Sequence, residues 1–255
     1  RIPDTRVGRT SQVNEVEFGF DEYEGTTKDY GLEDPIPNRD VENAPQGYDP
    51  IDHATMMLTN LVLLDRERRV AATTFNPANH AQTITLSGSS QFTDPASDPV
   101  GVINNGLKSM IRRGNIIVMG EDTYTTISMH PKIVSAYHGT DGSSGVVPTD
   151  FLATLFRVDA VYVGAAWADY TRRGQTPVRT RLWNNHIALL RRDKLANLQS
   201  GATWGMTAQF GNRRTYRRDD PEIGLDGGQR VRVGESVEEI VSAAEFGSLI
   251  INATP

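Results

Sequence analysis

Apolar and polar positions change period several times along the chain, and each change marks an element. Val16, Phe18 and Phe20 alternate with Glu15, Glu17 and Gly19, the period-two pattern of a strand with one wet face. Tyr30 to Ile36 supplies a return strand, so the two runs read as a long ribbon with its tip near Gly25. A two-stranded ribbon is marginal by itself, and its apolar face is expected to rest on something else. Asp49-Pro50 then opens a helix, because Asp can accept from the first free N–H groups and Pro suits the first turn. Ile51, Ala54, Leu58, Leu61, Val62 and Val70 keep helical spacing up to the breaker Asn76-Pro77. That predicts a helix of about 25 residues, roughly 37 Å long at 1.5 Å per residue.

The rest of the pattern is mixed. Thr83 to Thr93 reads as strand then loop, and Asp98-Pro99 opens a helix to Arg113. Asn115 to Met119 is a short, wholly apolar strand, followed by a helix from Glu121 to His130 that stops at Pro131. A helix over Phe151 to Phe156 follows, then strands over Val158 to Val163, Arg179 to Trp183, Ile187 to Arg191 and Thr203 to Phe210. Arg230 to Val233, Val237 to Val241 and Ser248 to Asn252 end the chain as strands. The pattern is α+β, without a repeat of fixed period.

Composition narrows the functional classes. The chain has 255 residues, 38% of them hydrophobic and 23% charged, enough to bury the core of one large domain or two small ones. No apolar run approaches the roughly 18 residues of a membrane span. Cysteine is absent, which removes disulfides, thiolate nucleophiles and cysteine-ligated metals. A net charge of −6 disfavours general binding to phosphate backbones. The charge is also unevenly distributed. The first fifty residues hold five basic side chains against twelve acidic ones, whereas Thr171 to Arg218 holds eleven basic residues against Asp193 alone. Opposite patches of this kind steer copies together and fix their register, or they neutralise one another within one molecule.

Candidate chemistry is sparse. His53, His80, His130, His138 and His186 form no i, i+4 or H-x-H pair. His138, Asp141 and Ser143 share one loop, but triad members come from separate elements and no G-x-S-x-G elbow is present. Glu15 and Glu17 project from one strand face with no opposing wall, unlike the carboxylates that flank a glycosidase cleft. Gly227-Gly228 lacks a phosphate-cradling spacing. Trp167, Trp183 and Trp204 fall on different elements and read as packing residues. No catalytic residue, metal site or cofactor is indicated.

The order of parts resembles the major capsid proteins of tailed bacteriophages with the Hong Kong 97-type fold. The resemblance is carried by Tyr30-Gly-Leu-Glu-Asp-Pro-Ile-Pro37 before Val41-Glu-Asn-Ala44, by Leu64-Asp-Arg-Glu-Arg-Arg-Val-Ala71, by Asn115-Ile-Ile-Val-Met-Gly-Glu-Asp-Thr-Tyr124 with His130-Pro-Lys-Ile133, and by Phe246-Gly-Ser-Leu-Ile-Ile-Asn-Ala253. It implies an N-terminal arm over 1–10, an E-loop hairpin over 11–48 and a peripheral domain with the spine helix over 49–114. An axial domain over 115–229 follows, and 230–255 returns as strands to the core. Loops around His138 to Pro148 and Asp169 to Thr176 are then candidates for the axial tip.

The implied function is structural: hexamers and pentamers of one chain forming an icosahedral head around double-stranded DNA, assembled in the bacterial cytoplasm. Decoration, portal and scaffolding proteins are the further partners the resemblance implies, with no membrane. A start at Arg1 fits proteolytic removal of a preceding segment, as in some members. Some relatives join subunits by Lys–Asn isopeptide bonds; Lys28, the only lysine in the first 107 residues, sits near the expected hairpin tip, but no acceptor can be named and an exposed charge is the preferred reading. Candidate inter-subunit contacts are Glu15, Glu17, Asp21, Glu22, Glu24, Lys28, Arg66, Arg68, Arg69, Arg213, Arg214, Arg217 and Arg218. The alternatives are an encapsulin-like nanocompartment, a hydrolase using Glu15 and Glu17 or His138 and Ser143, and a nucleic-acid module using Arg213 to Arg218.

Overall fold

The computed structural model describes residues 5–7, 9, 12–13, 15, 25–139, 144–172, 174–195 and 201–255. In chain order its strands are β1 (Lys28–Pro37), β2 (Gln82–Thr85), β3 (Ile116–Gly120), β4 (Ala160–Gly164), β5 (Trp167–Asp169), β6 (Arg179–Arg181), β7 (Ile187–Leu190), β8 (Gly205–Asp220), β9 (Gly228–Val241) and β10 (Gly247–Ile251). The α-helices are α1 (Asn38–Glu42), α2 (Pro50–Thr74), α3 (Pro99–Ser109), α4 (Glu121–Ser128), α5 (Pro131–His138) and α6 (Thr149–Phe156).

The 25-residue helix α2 stands where its caps place it. The Asp49 carboxylate accepts from the Ile51 N–H at 2.8 Å, and Pro50 occupies the first turn. Ile51, Ala54, Leu58 and Val62 recur on one face and are buried against Ile36 of β1 and Val231 and Val233 of β9. The sheet beneath has the order β1-β9-β8, antiparallel throughout. Each such aliphatic side chain removed from water contributes roughly 1.5–3 kcal/mol.

One sequence expectation needs correction here, that for the strands after Thr203. The Tyr30 to Ile36 strand is an edge strand of this sheet, with Tyr30 opposite Glu235 and Leu32 opposite Val233. Its expected hairpin partner, residues 16–20, lies outside the described residues. The strand expected over Thr203 to Phe210 runs on to Asp220, and β9 runs unbroken across the interval between Val233 and Val237. Together they form one long hairpin, so a boundary between 229 and 230 falls inside β9. The alternation of Val231, Val233 and Val237 continues through Glu235, which is why no break occurs.

A second sheet has the order β2-β10-β7-β3-β4. β3 is parallel to β4, β10 is parallel to β2, and β7 runs antiparallel between β3 and β10. The continuous apolar run of β3 has its reason in burial on both faces. Ile117 joins Phe92, Ile103, Leu107 and Phe156 under the short helices, while Ile116 joins Phe75, Trp204 and Leu249 on the face towards α2. Gly120 passes against the backbone oxygens of Trp183 and Asn184, where an added Cβ would lie 2.5 and 2.7 Å away, so glycine is required there.

Helix ends depart modestly from expectation. α3 stops at Ser109, because Met110 is already extended. Pro131 does not merely end a helix. It starts α5, with the His130 ring nitrogen capping the Lys132 N–H. Trp183 bridges the two layers, donating its indole N–H to Glu67 of α2 at 2.7 Å and meeting Phe75 edge-on at 5.6 Å.

Candidate assembly surfaces

The basic residues singled out from sequence divide into two groups. Arg66 of α2 donates two hydrogen bonds to the carboxylate of Glu235, at 2.9 and 3.1 Å, and the Glu235 side chain is fully buried. Arg213 adds two more, at 3.2 and 3.1 Å. It reaches Glu235 because β8 bulges: Phe210 is opposite Ser236 and Arg214 opposite Gly234, so Gly211, Asn212 and Arg213 share the space facing Glu235. Gly211 has φ +70°, a turn glycine accommodates without strain. Arg69 pairs with Glu239 at 3.1 Å and with Asp65, and its guanidinium lies 3.5 Å over the Tyr30 ring. These neighbours outweigh desolvation, the largest single influence, and hold the Arg69 pKa above its ordinary value.

Arg66, Arg69 and Arg213 therefore tie α2 to its own sheet. Arg68 is bonded to Asp65 one turn back at 2.9 Å, and Lys28 faces Glu238 at 3.4 Å. Arg214, Arg217 and Arg218 are exposed and make no ion pair among the described residues. Glu15 is exposed, while Glu17, Asp21, Glu22 and Glu24 lie outside the described residues. Of the acidic front, Glu33 is neutralised within the chain. Arg232 and Arg230 bond it at 2.7 and 3.1 Å, and the Arg232 hydrogen bond is the main reason its pKa falls below the usual carboxylate value.

The two faces of the β1-β9-β8 sheet differ sharply. The α2 side carries Ile36, Val231, Val233 and Glu235. The outer side carries Gly31 and Glu33 from β1, Arg230, Arg232, Gly234 and Ser236 from β9, and Phe210, Arg214, Tyr216 and Arg218 from β8. Apolar surface is exposed elsewhere too. Met56, Met57, Leu61 and Leu63 of α2 are 60, 43, 51 and 39% exposed, and Trp167, Tyr170 and Val178 crown the small β5-β6 ribbon. Met57 and Leu61 stand one turn apart on α2 and form an exposed apolar pair. Helical spacing alone groups Leu61 with the buried Leu58 and Val62, so the sequence does not single it out.

Three of the five histidines pack within the fold. His130 is buried, with Nδ1 accepting from the Lys132 N–H and Nε2 3.2 Å from both Ser97 Oγ and the Asp94 carbonyl. His80 is stacked on Trp204 at 5.4 Å and bonds the Thr74 carbonyl at 2.7 Å, and His186 Nδ1 accepts from the Asn252 N–H. Burial lowers the pKa of all three. Among the described residues no cluster of three metal-ligating groups occurs, and no helix is long and apolar enough to cross a membrane. Asp141 and Ser143, the partners considered for His138, lie outside the described residues.

Several solved structures share this fold. A phage-related protein from Bordetella bronchiseptica superposes with a TM-score of 0.71 at 18% identity, over 94% of this chain and 80% of that one. The capsid of cyanophage P-SCSP1u gives 0.57 at 10% identity, over 94% of this chain and 80% of that one. No family model matches. The major capsid protein of Pseudomonas phage JBD67 is 48% identical over 254 residues, 99% of this chain and 82% of that protein. That of Burkholderia phage BcepMu is 30% identical over 189 residues, 71% of this chain and 58% of that protein. The chain belongs to the phage major capsid proteins. It is a structural protein of the virion capsid and not an enzyme, as the sequence resemblance implied.

Proposed function

We propose that the chain is the repeating subunit of a phage head, closing with copies of itself into hexamers and pentamers around packaged double-stranded DNA. The 48% identity to a phage major capsid protein along nearly the whole chain carries this reading. In this reading residues 1–10 are the arm, 11–48 the E-loop, α2 the spine helix, α2 with the β1-β9-β8 sheet the peripheral domain, and the five-stranded sheet the core of the axial domain. Val7 of the arm and Val13 at the start of the E-loop segment are 41 and 73% exposed on their own chain. Burial of such a segment by neighbours couples ordering to assembly. A net acidic subunit also suits a DNA container, since a cationic wall would grip the genome. Decoration, portal and scaffolding proteins are the additional partners of such a head.

Negative-stain microscopy of the purified protein tests the reading. Closed, uniform shells are expected, and a monomer at every concentration and ionic strength would overturn it. Shells filled with protein cargo and devoid of DNA would reassign it to a nanocompartment.

A further inference from the structure

Between the second half of α2 and the five-stranded sheet lies a pocket of about 360 Å³. Ile116, Val118 and Leu190 of the sheet line it together with the Trp183 and Trp204 rings. Both indole N–H groups are already used: Trp183 donates to Glu67 at 2.7 Å and Trp204 to the Asn79 carbonyl at 2.9 Å. The rings therefore offer the pocket apolar surface only. Two cations interrupt this lining. Arg191 and Arg192 border the pocket, and the Nε atom of each is buried without a hydrogen-bond partner among the described residues. A guanidinium is always charged and leaves no way to remove the unmet donor by losing its proton. The acids on the adjoining segments are engaged elsewhere. Glu67 accepts from Trp183, Asp159 from the Asn115 side chain at 2.8 Å, and Asp193 from the Leu195 N–H at 3.0 Å. Residues 196–200, which link the two sides of the pocket in sequence, contain no acid.

We propose that this pocket binds a small amphipathic carboxylate, with an apolar body the size of a medium-chain fatty acid and one anionic head on Arg191 and Arg192. Three observations select this chemistry. The volume lies at the small end of the roughly 300–1,000 Å³ of small-molecule sites, which suits a compact ligand. The lining is apolar apart from the arginines, so a nucleotide would bring sugar and phosphate oxygens for which no donors are present. The unmet donors belong to guanidinium groups, whose planar fork matches a carboxylate. The pocket is formed within one chain, so the proposal is independent of the shell reading. A ligand held there touches both α2 and the five-stranded sheet. Because it binds the folded chain alone, it raises subunit stability by mass action.

Decanoate, kept below the concentration at which it forms micelles, is the probe, titrated into dissociated subunits of the whole chain. Trp183 and Trp204 line the pocket and report on its contents. A saturable change in tryptophan fluorescence, one decanoate bound per subunit by calorimetry and a raised melting temperature are expected. Decanol, which has the same chain without the charge, should bind about tenfold more weakly, as should decanoate to the double variant Arg191→Gln/Arg192→Gln. Tenfold is equivalent to about 1.4 kcal/mol. Equal affinity in either comparison, or binding that never saturates, overturns the proposal. The decanol comparison uses the unsubstituted protein and decides the matter if the double variant does not fold. Leu61→Glu, on the exposed side of α2, should bind decanoate as the unsubstituted chain does, and a loss there would move the site to the helix surface and overturn the pocket. Binding found only in Leu198→Ser would show that the chain's own 196–200 segment takes the place of the ligand, which also overturns it.

Discussion

Glu235 and Arg66 meet in a two-pronged pair that ties the middle strand of the β1-β9-β8 sheet to α2, with the carboxylate fully buried and the guanidinium a quarter exposed. Arg213 completes the arrangement from β8. Because two arginines share one buried acid, losing either leaves the charge compensated. Losing both strands it in an apolar layer between Val233 and Val237. Arg66→Met and Arg213→Met are each expected to cost about 1–2 kcal/mol, and the double variant about 3–5 kcal/mol, more than their sum. Urea denaturation of the dissociated subunits measures this. Strictly additive losses would show that water reaches Glu235.

The start of α2 depends on one side chain. Asp49→Ala removes the acceptor for the Ile51 N–H and is expected to lower subunit stability by about 1 kcal/mol, with Asp49→Ser recovering most of it. Thermal melts of the two variants side by side decide the matter.

Acid should loosen the subunit in a defined window. Burial places the pKa of His80, His130 and His186 below the ordinary histidine value. The unfolded chain therefore binds more protons than the folded one as pH falls below about 6.5. Stability is complete above that value and declines as pH drops through the folded-state pKa values. His130 faces Asp94, Asp98 and Lys132. Its protonation also abolishes the acceptor that caps α5. Melting temperatures followed from pH 7.5 to 5 should fall, and fall less steeply in His130→Asn. An unchanged slope in that variant would remove His130 from the account.

The exposed stripe of α2 separates folding from assembly. Leu61→Glu at a half-exposed site should leave the unfolding free energy of the dissociated subunit within about 0.5 kcal/mol of that of the unsubstituted protein. The yield of shells by sedimentation should fall. Full yield would show that this stripe stays in solvent within the particle.

Reversing Asp21, Glu22 and Glu24 to Lys should impair assembly more at low salt than at high salt, because screening over a Debye length of about 10 Å at 0.1 M mutes charge repulsion. Particle counts across a salt series give the answer, and a normal yield throughout would dismiss electrostatic guidance by the arm.

Much of this architecture could be read from local signals. α2 was legible because Asp49-Pro50 and Asn76-Pro77 bracket an uninterrupted helical pattern, and β3 because a short apolar run between turns has few other uses. Pairing was not legible. β1 bonds to β9 some two hundred residues away, and no local period announces a partner at that distance. The arginines' intrachain partners were hidden for a related reason. Arg66 and Arg69 sit among charges that look solvated, and their commitment to Glu235 and Glu239 becomes visible only when β9 lies beneath them. A signal did exist, since Glu235 occupies a core position in the alternation of Val231, Val233 and Val237. An acid at such a place implies a buried basic partner. The pocket beside α2 was hidden too, because Trp183, Arg192 and Trp204 become neighbours only in the folded chain.

β10 occupies an inner position between β2 and β7, although it follows every other described strand in sequence. Until residue 251 emerges from the ribosome, β2 and β7 lack the strand that joins them, and Leu249 and Ile250 are missing from the two cores they fill. Closure of the five-stranded sheet is thereby coupled to near-complete synthesis of the chain.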